Sequence, residues 1–145
     1  MKRVMHATDF SPASRAAFAR ALQEAKAHGA ELTVVHVLSP VLGFAGDGYV
    51  SPSTYESLAR SSRAWAQKKL DALLAKARGE RVRVRGMLLD GVAHEQIAKA
   101  AKSKKTDLLV VGTHGRTGMA RFFVGSVAGR IVATAPCPVL TVRGR

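Results

Sequence analysis

Small residues able to bind an anion cluster where a buried strand ends in the second half of the sequence. Gly112 and Gly115 follow the apolar run DLLVV. Gly125 and Ser126 come immediately before a segment with helical apolar spacing. Glycine lets a backbone approach a ligand closely and expose its N–H groups. Serine beside glycine at a helix N-terminus adds a hydroxyl donor and the positive end of the helix dipole, so these residues are suited to holding phosphate.

Each of these residues taken alone has an ordinary structural explanation. Ser126 could be a plain helix N-cap that stabilises the helix by about 1 kcal/mol. Gly112 could simply end a strand in a turn. Their occurrence together after one strand favours an anion site over the separate explanations.

The elements that must position these residues alternate between strand and helix. Apolar runs predict five strands, and helical spacing predicts four helices between them; the strands fall near 2–8, 31–38, 81–89, 107–112 and 137–143. Such alternation requires crossover connections, which produce a parallel sheet with helices on both faces. We therefore predict an α/β protein, with residues 1–145 forming a single domain around a doubly wound, Rossmann-like sheet of five parallel strands.

Start and stop signals define the first two helices. Ser11 is a suitable N-cap before Pro12, and Gly29 is placed to end the first helix. Ser53 and Glu56 have the spacing of a capping box for the second helix. Its apolar stripe is predicted to face the core rather than a partner helix, and comprises Tyr55, Leu58, Ala59, Trp65, Leu70, Leu73 and Leu74. Residues 39–52, rich in glycine and proline, are predicted to form a surface loop.

Polar residues at strand ends indicate where a ligand would lie. Doubly wound sheets bind ligands beyond the carboxyl ends of their strands, where the strand order reverses. The first strand runs into Ala7, Thr8 and Asp9, and the second ends near Val37. If the first and fourth strands are neighbours, Asp9 and Gly112 face each other across the cleft.

The charge of the chain favours anionic partners without naming one. The formal net charge is +13, and residues 108–145 contain five arginines and no carboxylate. Such a field attracts nucleotide phosphates, nucleic acid or acidic membranes, and it also promotes solubility by itself. Because aromatic residues are few and are not interleaved with the basic ones, we do not expect sequence-specific nucleic-acid binding.

Cysteine content and the N-terminus indicate a cytoplasmic location. Cys137 is the single cysteine, so no disulfide can form within the chain, and a packed thiol is a simpler role for it than a redox sensor. The start MKRVMHATDF reaches polar residues too early for a signal peptide or a membrane span. We therefore expect a cytoplasmic protein with no membrane partner.

The spacing Gly112-x2-Gly115-x9-Gly125-Ser126 resembles the nucleotide motif of the universal stress protein family. Three further segments in the same order strengthen this resemblance over nearly the whole chain: ATDFSPAS, VVHV and the closing GSVAGRIVATAPCPVLTVR. The resemblance implies a strand order of 3-2-1-4-5 and a site for an adenine nucleotide. The ligand implied is ATP, with Mg²⁺ as the cation that would accompany it.

The resemblance also implies roles for individual residues. Those expected near the adenosine are Ala7, Thr8, Asp9 and Val37. Those expected along the ribose and first phosphate are Val111, Gly112 and Thr113. The phosphates would be held by Gly115, Gly125 and Ser126, with the Val127 backbone nearby. Arg116 and Arg121 could neutralise phosphate charge, and His114 could contact phosphate or act as an acid.

Two classes of function stay open on the sequence alone. The first is a nucleotide-binding stress or signalling protein, in which nucleotide occupancy alters conformation or partner choice. The second is a slow ATPase or a self-phosphorylating enzyme that uses the same cleft. The sequence contains no GxxxxGK[ST] phosphate loop and no GxSxG elbow, so we assign no catalytic residue. His6, His28, His36 and His94 are scattered without metal spacing, so we assign no metal ligand. We also expect a homodimer through the last strand, because an uncovered hydrophobic edge would favour pairing between two copies.

Overall fold

The computed structural model describes residues 1–40, 50–114 and 125–144. Strands and helices alternate in the predicted order. The elements are β1 (Arg3–Ala7), α1 (Pro12–His28), β2 (Glu31–Leu38), α2 (Pro52–Gly79), β3 (Val84–Asp90), α3 (Ala93–Ser103), β4 (Leu108–Gly112), α4 (Ser126–Thr134) and β5 (Val139–Val142). No helix within the described ranges is both long enough and apolar enough to cross a membrane.

The five strands form one parallel sheet in the order β3-β2-β1-β4-β5. The predicted fold class and strand order are therefore confirmed. The order reverses between β1 and β4, where Ala7 lies beside Val111. A parallel sheet brings the carboxyl ends of its strands to one edge, so the polar residues after β1 and β4 meet there.

Two apolar layers cover the faces of the sheet. On one face, α1 and α2 pack against Val4, Leu32 and Val34. On the other, α3 and α4 pack against Met5, Val35 and Leu109. Successive strand residues alternate between the two layers, as expected for a sheet covered on both faces.

Helix α1 has the caps that the sequence predicts. The Ser11 side chain accepts a hydrogen bond of 3.2 Å from the Ser14 N–H, and Pro12 opens the helix. Gly29 ends it in the left-handed conformation, with φ of 59°. These short-range signals locate both ends of α1 before any tertiary contact is considered.

Helix α2 begins earlier than predicted. Its N-cap is Ser51, whose side chain accepts from the Thr54 N–H, so the predicted capping box of Ser53 and Glu56 is wrong. Pro52 explains the difference, because the first helical position needs no N–H donor and proline fits it well.

The predicted core stripe of α2 is only half right. Leu70 and Leu74 are buried, but Tyr55, Leu58 and Trp65 keep 39%, 49% and 43% of their surface exposed. A helix of 28 residues is about 42 Å long, whereas the eight residues of β2 span about 26 Å. The first half of α2 therefore extends past the carboxyl edge of the sheet.

Candidate functional site

A cleft of about 1210 Å³ opens at the carboxyl edge of the sheet, beyond β1, β2 and β4. Every predicted site residue that the structure describes lines it, namely Ala7, Thr8, Asp9, Val37, Val111, Gly112, Thr113, His114, Gly125, Ser126 and Val127. The remaining predicted contacts, Gly115, Arg116 and Arg121, lie outside the described residues. A cleft of this size can take a nucleotide-sized molecule.

The turn after β1 is fixed by its own hydroxyl and carboxylate groups. Thr8 Oγ1 accepts from the Phe10 N–H at 3.0 Å and from the Ser14 hydroxyl at 2.6 Å. Asp9 Oδ1 accepts from the Ser11 N–H at 3.0 Å. This network orients the Asp9 carboxylate at the cleft wall and connects it to the first turn of α1.

Phe10 occupies a conformation that a phenylalanine rarely adopts. Its φ is 63°, in the left-handed region that disfavours side chains other than glycine. Its ring lies 4.5 Å from the His36 ring and 5.4 Å from the Trp65 ring, measured between centroids. These aromatic contacts compensate the backbone strain and connect β1, β2 and the overhanging part of α2.

His36 secures the end of β2 to the turn after β1. Its Nδ1–H donates to the carbonyl oxygen of Thr8 at 2.8 Å, and the side chain is buried. The structure shows it as part of the cleft wall.

Gly112 has a packing reason to be glycine that the sequence alone does not show. A Cβ added there would lie 2.9 Å from the carbonyl carbon of Ala13 and 3.0 Å from the Ser14 nitrogen, both backbone atoms of α1. The residue does not need a positive φ, so its role is close packing of β4 against α1.

Thr113 connects the end of β4 to β5 and α4. Its N–H donates to the Val142 carbonyl oxygen at 2.9 Å, and its own carbonyl accepts from the Gly125 N–H at 2.6 Å. Its hydroxyl lies 2.8 Å from His114 Nδ1. Thr113 therefore fixes the start of α4 directly beside the carboxyl end of β4.

The N-terminus of α4 points into the cleft. Gly125 is the N-cap and Ser126 is the first helical residue, so the alternative role of Ser126 as a plain N-cap is wrong. The first backbone bond of α4 runs from the Gly129 N–H to the Gly125 carbonyl at 2.9 Å. The N–H groups of Ser126, Val127 and Ala128 precede that bond and are available to an acceptor. With no acidic residue in this first turn, the helix dipole favours an anion there.

The cleft thus combines a carboxylate on one wall with a helix N-terminus on the other. A family model described as the universal stress protein family matches residues 1–143. The chain belongs to the universal stress protein family. A universal stress protein of Thermus aquaticus, encoded in the QAH/OAS sulfhydrylase 3′ region, is 37% identical over 142 residues and 98% of each chain is covered.

Solved structures share the universal stress protein fold. That of protein MJ0577 from Methanocaldococcus jannaschii has a TM-score of 0.85 at 21% identity, covering 99% of this chain and 96% of that one. A universal stress protein family protein from Arabidopsis thaliana, solved with AMP bound, has a TM-score of 0.72 at 22% identity. That comparison covers 100% of this chain and 93% of the other.

Several cleft residues of this universal stress protein were not predicted. Tyr55, Trp65 and Arg63 come from the overhanging half of α2, and Arg63 forms an ion pair with Asp90 at the end of β3. The helix length carried a signal for them, because a helix so much longer than its strands must extend past the sheet. The apolar spacing alone could not show where the core stops.

Cys137 is a packed side chain rather than part of the cleft. Cys137 packs against the α3–α4 layer, and burial raises the pKa of its thiol, which suits a packed side chain. Within residues 1–40, 50–114 and 125–144, no three metal-ligating side chains cluster.

Proposed function

We propose that this universal stress protein binds an adenine nucleotide, with ATP as the ligand, in the cleft at the carboxyl edge of the sheet. The observation that carries the proposal is the position of the α4 N-terminus. Its first-turn N–H groups lie beside β4 and across the strand-order reversal from Asp9. The family membership and the AMP-bound neighbour from Arabidopsis thaliana support the same ligand class.

The β1 and β2 side of the cleft is suited to the nucleoside. Asp9, whose carboxylate is oriented by the Ser11 N–H, can accept hydrogen bonds from ribose hydroxyls or from an amino group of the base. Ala7 and Val37 offer apolar surface to the base. The hydrogen bond from His36 to Thr8 keeps these two strand ends at a fixed separation.

The β4 and α4 side is suited to the phosphates. The N–H groups of Ser126, Val127 and Ala128, together with the Ser126 hydroxyl, are donors placed at the positive end of the helix dipole. Gly115, Arg116 and Arg121, which lie outside the described residues, would add donors and positive charge to this side. Mg²⁺ would reach the protein bound to the phosphates, since it usually binds through one or two carboxylates plus phosphate oxygens.

The function we propose is nucleotide-dependent signalling in the cytoplasm under stress. The nucleotide would touch β1, β2, β4 and α4 together, and the overhanging half of α2 lines the same cleft. Binding can therefore alter how α2 sits over the sheet, which presents Leu58 and Tyr55 to partners. Only a difference in affinity between the two arrangements can drive such a change.

The experiment compares nucleotides on protein stripped of any bound ligand. Isothermal titration calorimetry with ATP, AMP and GTP should give heat with both adenine nucleotides and little with GTP. A parallel measurement identifies the nucleotide released when the freshly purified protein is denatured. The absence of binding heat with both ATP and AMP would refute the proposal.

A further inference from the structure

The edge of the sheet opposite the cleft carries a concentrated positive charge. Four segments meet there: residues 2–3, the last turn of α1 with Lys26, residues 76–85 and residues 102–105. Together they present eleven exposed lysines and arginines, in the sequences KR, K, KARGERVRVR and KSKK. We call this surface the basic pole. It spans the amino ends of β3, β2, β1 and β4, a width of about 14 Å.

The carboxylates at the basic pole are already engaged. Glu80 pairs with Lys26 at 2.9 Å, and Glu31 pairs with Arg85 at 3.1 Å. Asp107 accepts the backbone N–H groups of Lys2 and Arg3, and these bonds lower the pKa of its carboxyl group. The other cations at the pole therefore greatly outnumber the carboxylates that could neutralise them.

Three helices end at the basic pole with the same backbone motif. In each, a residue with φ between 49° and 61° is followed by one whose N–H bonds to an alanine carbonyl five positions back. The bonds are Ala30 to Ala25 at 2.9 Å, Val82 to Ala77 at 3.0 Å and Thr106 to Ala101 at 3.0 Å. This is the Schellman arrangement, in which glycine is the usual left-handed residue.

Only α1 has glycine at that position. Gly29 adopts φ of 59° after α1, but Arg81 adopts 61° after α2 and Lys105 adopts 49° after α3. A side chain in this conformation costs about 1–2 kcal/mol that glycine would avoid. The two strained residues are both basic and lie on the same surface, an arrangement that folding alone does not favour.

Helix dipoles explain only part of this charge. Lys26, Lys76, Arg78 and Lys102 lie in last turns, where a cation stabilises the helix end. Arg81 and Lys105 lie beyond those turns. The cost of their left-handed backbone offsets most of the stabilisation that a cation gains from the helix dipole. A positive surface maintained against backbone strain indicates a function in binding a polyanion.

We propose that the basic pole binds double-stranded DNA through its phosphates, without sequence preference. Cations spread over about 14 Å can reach phosphates on both sides of a major groove about 12 Å wide. The four segments contain no Phe, Tyr or Trp on which unpaired bases could stack. They also contain no large apolar side chain that would insert into a membrane, since their apolar residues are alanine and valine.

The test uses a double variant that separates binding from folding. Arg81→Gly combined with Lys105→Gly removes two charges and relieves two left-handed side chains. We expect an unchanged or higher melting temperature together with weaker binding. Lys68→Gln combined with Lys69→Gln is the matched control, because it removes the same charge from exposed positions of α2 that lie at least seven residues before the basic pole.

Binding is measured by fluorescence anisotropy of a labelled 24-base-pair DNA duplex between 50 and 200 mM salt. The glycine variant should reduce the slope of log K against log salt by about 1.8, which corresponds to two lost phosphate contacts. Its affinity at 50 mM salt should fall on the order of tenfold or more, while the control keeps the wild-type slope. Equal slopes in all three proteins, or no binding by the wild type at 50 mM salt, would overturn the proposal. Tighter binding to vesicles containing 30% phosphatidylserine than to the duplex would also overturn it, in favour of a membrane.

Discussion

Gly112 at the end of β4 packs directly against the backbone of Ala13 in α1. The space that a Cβ would occupy at Gly112 is 2.9 Å from the Ala13 carbonyl carbon and 3.0 Å from its oxygen. This contact sets the distance between β4, which leads to the phosphate side of the cleft, and the turn that carries Asp9. A residue chosen for packing thus determines the geometry of the site.

The first prediction concerns this contact. Gly112→Ala should destabilise the fold by about 1–3 kcal/mol, because the atoms it meets belong to a helix backbone and cannot move aside as a flexible side chain can. Urea unfolding should show a lower midpoint with an unchanged slope. Gly129→Ala is the control: nothing lies within 4 Å of its added Cβ in α4, so it should stabilise the fold by about 0.5–1 kcal/mol. The reverse order of stabilities would contradict this role of Gly112.

The second prediction concerns His6, buried in β1. Its Nδ1–H donates to the Val110 carbonyl at 3.0 Å, and its Nε2 has no hydrogen-bond partner among the described residues. Burial lowers the pKa of His6 from 6.5 to about 4. The unfolded chain therefore takes up a proton at higher pH than the folded one. This contribution to stability is complete above about pH 6.5 and is lost as the pH falls toward 4.

The loss over this range should reach about 3 kcal/mol, which follows from 1.36 kcal/mol per unit of pKa difference. His6→Met keeps the volume similar and removes the titrating group. Urea unfolding at pH 4 to 8 should then show a weaker pH dependence than in the wild type. Parallel pH profiles for the two proteins would show that His6 does not titrate as described.

The third prediction is a homodimer formed through β5. Leu140 and Val142 pack on the α1–α2 layer and Val139 on the opposite layer, so the predicted hydrophobic edge is largely covered within the chain. Because β5 is the last strand of the sheet, its outer edge presents unpaired backbone groups to a partner. Pairing between two copies would satisfy its outward N–H and carbonyl groups.

Thr141 allows a clean test of this pairing. The carbonyl groups of Pro138 and Val142 accept hydrogen bonds from β4. The backbone groups of successive strand residues point to opposite sides, so the N–H of Thr141 points away from β4. Thr141→Pro removes that donor without touching the β4 ladder and should give a monomer in light scattering. Thr141→Val, which keeps the N–H, should remain dimeric. A wild type that is monomeric at micromolar concentration would rule out the dimer.

The fourth prediction is that ATP is turned over slowly or not at all. A phosphate-release assay should give a rate far below the 1–10³ s⁻¹ typical of enzymes. His114 Nδ1 lies 2.8 Å from the Thr113 hydroxyl, and His114→Ala should leave the rate unchanged. Many turnovers per second, abolished by His114→Ala, would instead make this universal stress protein an enzyme with His114 in catalysis.

Local signals in the sequence were sufficient for the fold. Ser11, Pro12 and Gly29 define α1 through contacts within a few residues, and the apolar runs identify each strand. The alternation of elements then leaves few arrangements of a parallel sheet. The positions of Asp9 and Gly125 at the cleft follow from that topology. Asp9 comes just after β1 and Gly125 just before α4, and both of these chain ends lie at the carboxyl edge of the sheet.

Contacts between distant elements could not be predicted in this way. Gly112 must be glycine because it packs against α1, about a hundred residues earlier in the chain. No local sequence pattern reveals such a distant contact. The exposure of Trp65 depends on where the sheet stops beneath α2. The role of His36 could not be predicted, because it comes from a hydrogen bond to Thr8 that only the pairing of β1 with β2 brings into reach.

The most direct test of the nucleotide site changes Ser126 and compares ATP with adenosine by calorimetry. Ser126→Asp places a carboxylate at the start of α4, where the helix dipole stabilises it but phosphate is repelled. We expect ATP affinity to fall at least tenfold in this variant, with adenosine binding unchanged. Ser126→Ala should weaken ATP by only about fivefold, since the helix N–H donors remain. Wild-type affinity for ATP in Ser126→Asp, or an equal loss of ATP and adenosine, would contradict phosphate binding at the N-terminus of α4.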